Sequence, residues 1–307
     1  MTSRPWLAEN EISAGLAARL ITDQMPELAP ARLESYGAGW DNTAFLVNDT
    51  WVFRFPRRQI AVGLIETEMR LLPAIADSLP MPIPQPVWKG EPTDDFPWPF
   101  AGYRYLQGTT ACRADLNDEA RCRLAEPMAR FLKALHSLEA DVARAAGAGP
   151  DIHERLDVPK RTAQVRERLE KLAADGHLPG GDPSPWLAVA EAAPTSWTPG
   201  STTLVHGDLY ARHLLVDENN ALCGVIDWGD VHLGDAAIDL RTVLTMLPPP
   251  GRQRFFEIYG DVDPARLAVA RQQAVFSAVA LLIYGHDVGD DALVREGEVG
   301  LRLNRPE

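Results

Sequence analysis

The chain has 307 residues, 46% of them hydrophobic and 24% charged, which suits a soluble globular protein with two domains or two lobes. A formal charge of −13 and a pI near 5.0 exclude nucleic acid and an anionic membrane surface as expected partners, since both call for a cationic face. Three cysteines, Cys112, Cys122 and Cys223, without C-x-x-C or metal-type Cys/His spacing, argue against a disulfide framework or a zinc site, and MTSRPWLAENEISAGL lacks the form of a secretory signal.

Apolar spacing predicts a helix over residues 8 to 24, ending before Pro26. LESYGAGWDNTAFLVNDTWVFRFP then reads as strand, glycine turn, strand, Asn48-Asp49 turn, strand. VGLIETEMRLLPAIADSL has helical spacing, whereas PMPIPQPVW is expected to be an extended, proline-rich crossing. FPWPFAGYRYLQG supplies one more strand, and after it the sequence turns mostly helical. Helices are expected over 115–138, with Pro127 as a kink, and over 157–175, with a shorter one beyond GHLPGGDPSP. The apolar run AVFSAVALLIYG (274–285) is shorter than a bilayer span and reads as a buried helix, so a cytoplasmic, soluble protein with no membrane partner is expected. DVGDDALVREGE near the end reads as a solvated acidic face, with Asp287, Asp290 and Asp291 as a weak hint of an ammonium-bearing substrate.

One stretch carries chemistry. VHGDLYARHLLVD (205–217) places His206, Asp208, Arg212 and His213 beside an apolar run. LLV and LCGVI, joined by DENNA, predict a hairpin, because Asp and Asn favour tight turns. Pairing those strands brings HGDLYARH close to DWGD, and so Asp208 and His213 close to Asp227. Two carboxylates at one hairpin mouth repel each other, which raises one pKa or calls for a cation. From these residues alone, a pair of surface acids in turns is an equal reading.

HGDLYARHLLVD with VIDWGD resembles the catalytic and metal-binding motifs of the aminoglycoside phosphotransferase family, which is related to protein kinases and includes macrolide phosphotransferases and choline-kinase-like enzymes. GAGWDNTAFLV resembles that family's nucleotide-binding loop, WVFRFPRR its third strand, ETEMRLLPAI its first-lobe helix, and GDAAIDL the segment after the metal-binding Asp. The likeness runs in order from about residue 35 to 245. It implies an α+β, bilobal, protein-kinase-like fold. Residues 1–106 would form an antiparallel sheet plus helix that binds nucleotide, and residues 107–307 a larger, mainly helical lobe with the catalytic loop and acceptor site.

The resemblance also implies roles. Asp208 is the expected catalytic base, Asp227 the ligand of Mg²⁺, and Arg54, Glu68, Gly37, Gly39 and Tyr105 the nucleotide-binding residues. Asp227 suits a hard cation that prefers oxygen. Two positions depart from the family: His213 stands where most members carry a metal-binding Asn, and Arg54 where many carry Lys. An imidazole is a softer ligand than an amide oxygen, so His213 is a metal ligand directly or through water, and one or two metals are open. Histidine there is also similar to the macrolide branch. Glu68 is the natural partner of Arg54, with Glu66 its rival; His206 is expected to shape the loop, and Asp235 and Asp239 to satisfy backbone donors. GDAAIDLRTVL follows D-W-G-D with no long peptide-docking segment. That favours a small-molecule hydroxyl acceptor, an aminoglycoside, a macrolide or a metabolic alcohol, with ATP or GTP as donor. A nucleotide-binding module without catalysis is the alternative from another class.

Overall fold

The computed structural model describes residues 8–39 and 41–306; residues 1–7, Trp40 and Glu307 lie outside them. Helix α1 spans Ala14–Gln24, not residue 8 onward. Ser13 sets its start: the hydroxyl accepts the Leu16 amide at 3.2 Å, and an N-cap residue holds extended backbone, so the apolar spacing upstream has no helix to join. Strands β1 (Leu33–Ala38), β2 (Asn42–Val47) and β3 (Trp51–Pro56) form an antiparallel meander as predicted. The turn between β2 and β3 places Asn48 and Asp49 in the left-handed region, which these residues tolerate. Helix α2 (Gln59–Ile75) follows.

The proline-rich crossing differs from expectation. Its end is a strand, β4 (Pro86–Gly90), which pairs with β5 (Phe100–Arg104) in a five-stranded sheet of order β1-β2-β3-β5-β4. β4 is an edge strand, so a proline can open it without breaking the ladder on both sides. Phe53 and Phe100 pack on bare glycine backbone: a Cβ on Gly102 would lie 2.6 Å from the Phe53 ring, and one on Gly90 2.1 Å from the Phe100 ring.

β6 (Thr109–Thr110) crosses into the helical region and pairs there with a later strand. The single helix expected over 115–138 is two, α3 (Asp118–Arg123) and α4 (Ala125–His136), separated at Leu124 because Pro127 sits in the first turn of α4, where a missing amide hydrogen does no harm. After α5 (Ala140–Ala145) come α6 (Val158–Ala174), capped by Asp157, and α7 (Ser184–Glu191). Short strands β7 (Thr203–Val205), β8 (Leu214–Val216), β9 (Leu222–Val225) and β10 (His232–Gly234) precede α8 (Ala237–Met246), α9 (Pro249–Tyr259), α10 (Pro264–Val288) and α11 (Asp291–Asn304). The apolar run 274–285 lies within the 25-residue α10. That helix is long and apolar enough to cross a membrane by length and composition, yet it packs against α6, α8 and α11.

One large core unites the helical lobe with α2 through Ile65, Leu72, Val225 and Trp228. A second lies between α1 and the sheet, built on Phe45, Phe53, Phe55 and Phe100. Because α2 and the β8–β9 hairpin share the first, the spacing between Glu68 and Asp227 is set by packing.

Candidate active site

The hairpin assembles the site. β8 pairs with β9, Leu214 opposite Val225, and Asp217 closes the turn by accepting the amides of Asn219 and Ala221 at 2.8 and 2.9 Å. At its mouth the Ile226 amide donates to the His213 carbonyl at 2.9 Å. Trp228 is fully buried, its Nε1–H donating to the Val225 carbonyl at 3.1 Å, and it turns the chain so that Asp227 takes a left-handed φ of 62°. Gly207, in H-G-D, has φ 82°, and a Cβ there would lie 2.3 Å from the Asp230 carbonyl oxygen. The close approach of D-W-G-D requires glycine at this point.

Two buried groups hold the loop from behind. Asp239, at the start of α8, accepts the amides of His206 and Gly207 at 2.7 and 2.9 Å. His206 lies 3.0 Å from the Ile226 carbonyl through Nε2, and burial, against the pull of Asp239, lowers its pKa to about 4, so the ring is neutral. Asp235 accepts the amides of Gly200 and Ala237.

His213 stands between the two carboxylates. Its Nδ1 is 2.7 Å from the Asp208 carbonyl oxygen, a position that only an N–H can fill, and its Nε2 is 3.2 Å from Asp227 Oδ2. In the cation Nε2–H donates to Asp227, and in the neutral ring Nε2 keeps a lone pair on that side; burial disfavours the cation, but Asp227 and Asp208 outweigh that and raise the pKa. Asp227 also accepts Arg54 Nη2 at 3.0 Å. Burial works against its charge, yet Arg54 and His213 hold the carboxyl well below the usual carboxylate range. Asp208 moves the other way: burial pushes it up to about 6, against His213 and Arg241, whose Nη2 donates at 3.0 Å. The side chains are 39% and 47% exposed for Asp208 and Asp227, because they sit on the floor of a concavity that limits hydration without enclosing them.

On the sheet side, Arg54 of β3 gives Nη1 to both oxygens of Glu68, at 3.0 and 2.8 Å. Glu68 is 1% exposed; burial raises its pKa to about 7 against the Arg54 charge, and the buried Tyr103 hydroxyl donates to it at 3.3 Å. Glu66 points to solvent. A cleft of about 1050 Å³ runs from Gly37, Gly39 and Asp41 past Arg54, Asp208 and Asp227 to Tyr284 on α10. Gly37 adopts φ 153° at a bulge in β1, whereas the Gly39 amide is engaged with the Asn42 carbonyl at 3.0 Å. Tyr105 lines the cleft edge-on to Tyr36 at 5.8 Å, and its amide donates to the Thr50 carbonyl at 2.8 Å, so a purine would have to meet other groups of the connector.

Sequence reasoning missed Arg241 and the clamp of Arg155 on Asp151 and Asp230. A signal for the first exists: AIDLRTVLTM is a wholly buried helix, and the two ionic residues inside it need partners. The clamp comes from a loop whose path no local pattern reveals. Among the described residues no cluster of three or more His, Cys, Asp or Glu forms a ready metal cage. Asp227 and His213 offer one ionised carboxylate and one directed lone pair, which suits an ion that takes its remaining ligands from phosphate and water.

This fold and site define a protein-kinase-like phosphotransferase. Residues 32–270 match the Phosphotransferase enzyme family, and the chain belongs to that family. It is 25% identical over 230 residues to the uncharacterized protein YcbJ of Bacillus subtilis (strain 168), covering 70% of each chain. It superimposes on the GDP and kanamycin complex of APH(2")-IIia with a TM-score of 0.67 and 27% identity, covering 94% of this chain and 97% of that one. Macrolide 2'-phosphotransferase MphH from Brachybacterium faecium shares the fold, with a TM-score of 0.57 at 21% identity over 95% of this chain and 98% of its own.

Proposed function

We propose that the protein transfers the γ-phosphoryl group of ATP or GTP to a hydroxyl of a small molecule. The observation that carries this reading is the placement of two carboxyls on one cleft floor, spanned by His213 and each held by its own arginine, Asp227 by Arg54 and Asp208 by Arg241. Asp227 is held ionised beside Arg54 and His213, while Asp208 is raised to about 6 in reach of Arg241. Environments that push the pKa values of neighbouring carboxyls in opposite directions assign them different work. GDP in the aminoglycoside enzyme of 27% identity supports GTP as well as ATP.

Asp208 would accept the acceptor hydroxyl's hydrogen bond and aim its oxygen at the γ-phosphorus. Arg241 holds one oxygen of Asp208, leaving the other for the substrate. As the new O–P bond forms and the bond to the nucleoside diphosphate breaks, the hydroxyl proton passes to Asp208 and then to water. Arg54, braced by Glu68, faces the phosphates; Gly37 allows their close approach. Asp227 and the His213 Nε2 would hold Mg²⁺, which supplies charge neutralisation on the phosphates. We place the lobe boundary at 106/107 and the protein in the cytoplasm, where the triphosphates are. Aminoglycosides, macrolides and metabolic alcohols are the candidate acceptors.

The test is release of ADP or GDP across a panel of antibiotic and metabolite alcohols, in wild type and Asp208→Asn. Turnover should fall by about 10²- to 10⁴-fold in the variant. Nucleotide binding with no Asp208-dependent turnover would overturn the reading in favour of a binding module.

A further inference from the structure

We infer that the acceptor is an anionic alcohol, one that carries a carboxylate or phosphate beside an apolar body and is gripped by Arg168, with Arg161 adding its charge from across the Phe276 ring. This deepens the kinase reading above and rests on it. Arg161 and Arg168 lie seven residues apart on α6, two turns along one face. Their guanidinium carbons stand 4.4 and 4.3 Å from the centroid of one ring, that of Phe276 on α10. Arg168 and Phe276 line the same cleft as Asp208, and so do Arg155, Arg212 and Arg241.

Counting charges on this wall decides its ligand. Asp230 is held by Arg155, and Asp208 by Arg241. Asp287 also lines the cleft, exposed near the end of α10. Asp290, which the sequence offered to an ammonium group, caps α11 and pairs with Arg113. By contrast, Arg161 donates to the Arg155 carbonyl and to Gln164 Oε1, at 2.8 and 2.7 Å, and makes no ion pair; Asp151, the nearby acid that acts on it, is held by Arg155. Arg168 Nη1 is buried with no acceptor, and the acid that acts on it most is the exposed Glu167. Burial together with the neighbouring charges of Arg168, Arg241 and Arg155 depresses Arg161 to about 10.

A purely structural role would explain the ring sandwich, since cations over an aromatic face tie α6 to α10. It does not explain an orphaned guanidinium N–H, nor two like charges gathered with no carboxylate between them. An incoming carboxylate or phosphate would answer the uncompensated charge at the part of Arg168 that lines the cleft, and a turn of the guanidinium towards it would bring Nη1 out to an acceptor. Phe276, Ala280, Leu281 and Ile283 offer the apolar contact beside it. A polycationic acceptor would instead add charge to an already crowded set.

The experiment measures NDP release with hydroxy acids and sugar phosphates against amino alcohols and kanamycin, in wild type, Arg168→Gln, Arg168→Glu and Arg168→Lys. We expect turnover of anionic members, with KM for the acceptor raised roughly 10- to 100-fold by Arg168→Gln. Arg168→Glu should lose more, and Arg168→Lys, which keeps the charge but not the fork, should recover only part of the loss. Thermal stabilisation by MgATP reports that each variant is folded. Turnover confined to cationic or neutral alcohols, or a KM for anions that ignores the charge at 168, overturns the inference and leaves the kinase standing. Nucleotide binding without Asp208-dependent turnover of any alcohol overturns both.

Discussion

The two walls of the cleft treat charge in opposite ways. On the sheet-side wall a continuous chain of partners runs from Tyr103 through Glu68, Arg54 and Asp227 to His213, each link a hydrogen bond or ion pair within the protein. On the far wall Arg161 and Arg168 have only a ring between them, and one N–H goes without an acceptor. The difference teaches where each ligand's specificity is stored. On the kinase reading proposed above, a wall that satisfies itself would recognise what every member of a class brings, a triphosphate. A wall left in deficit waits for one kind of molecule.

Breaking the paired wall should produce the largest effects. Asp227→Ala removes the anion on which Arg54 and His213 converge, and should cut kcat about 10³-fold with loss of thermal stabilisation by MgATP. Nucleotide titration by differential scanning fluorimetry reads the second effect directly. Glu68→Ala strands a buried guanidinium and should cost about 3 kcal/mol in urea unfolding, at the lower end for a broken buried pair because Asp227 remains as a partner. Arg54→Lys offers a single ammonium where two acids are now bridged, so kcat/KM for nucleotide should fall roughly tenfold with a smaller loss of stability.

Asp208 sharpens the comparison in a different way, since it is the group that burial disfavours. A carboxyl whose folded pKa of about 6 lies above the unfolded value of 3.8 binds its proton more tightly when folded. Its contribution to stability is therefore present at low pH and lost as pH rises through about 6. Asp208→Asn, which cannot ionise, should show a higher Tm than wild type at about pH 7.5 and none of that advantage at about pH 4, while transfer is lost. Over the same interval wild-type kcat/KM for the acceptor should rise with pH as the carboxylate forms. A Tm difference that is flat with pH would separate Asp208 from this account.

Much of the paired wall was legible in the sequence, because its components are local: a turn of Asp and Asn between two apolar runs fixes a hairpin, and the hairpin delivers Asp208, His213 and Asp227 to one place. Arg54 and Glu68 lie on a strand and a helix adjacent in the chain, but it is the family resemblance that singles them out, and the choice of Glu68 over Glu66 needs the structure. Elements that depend on context were not legible. β4 hides behind prolines because an edge strand forgives them, and α1 begins at its Ser13 cap instead of at its first apolar residue. Arg241 is invisible without knowing that α8 lies beneath the H-G-D loop. Arg161 and Arg168 looked like an ordinary charged helix until α10 brought Phe276 between them.

The bare backbone at Gly102 has a reach beyond the packing it permits. Phe53 rests on it, and the next residue along the strand is Arg54, aimed at the opposite face. Any side chain at 102 would lever the ring away and tilt that strand, so a change confined to greasy surroundings would be felt as poorer grip on a polyanion it never meets.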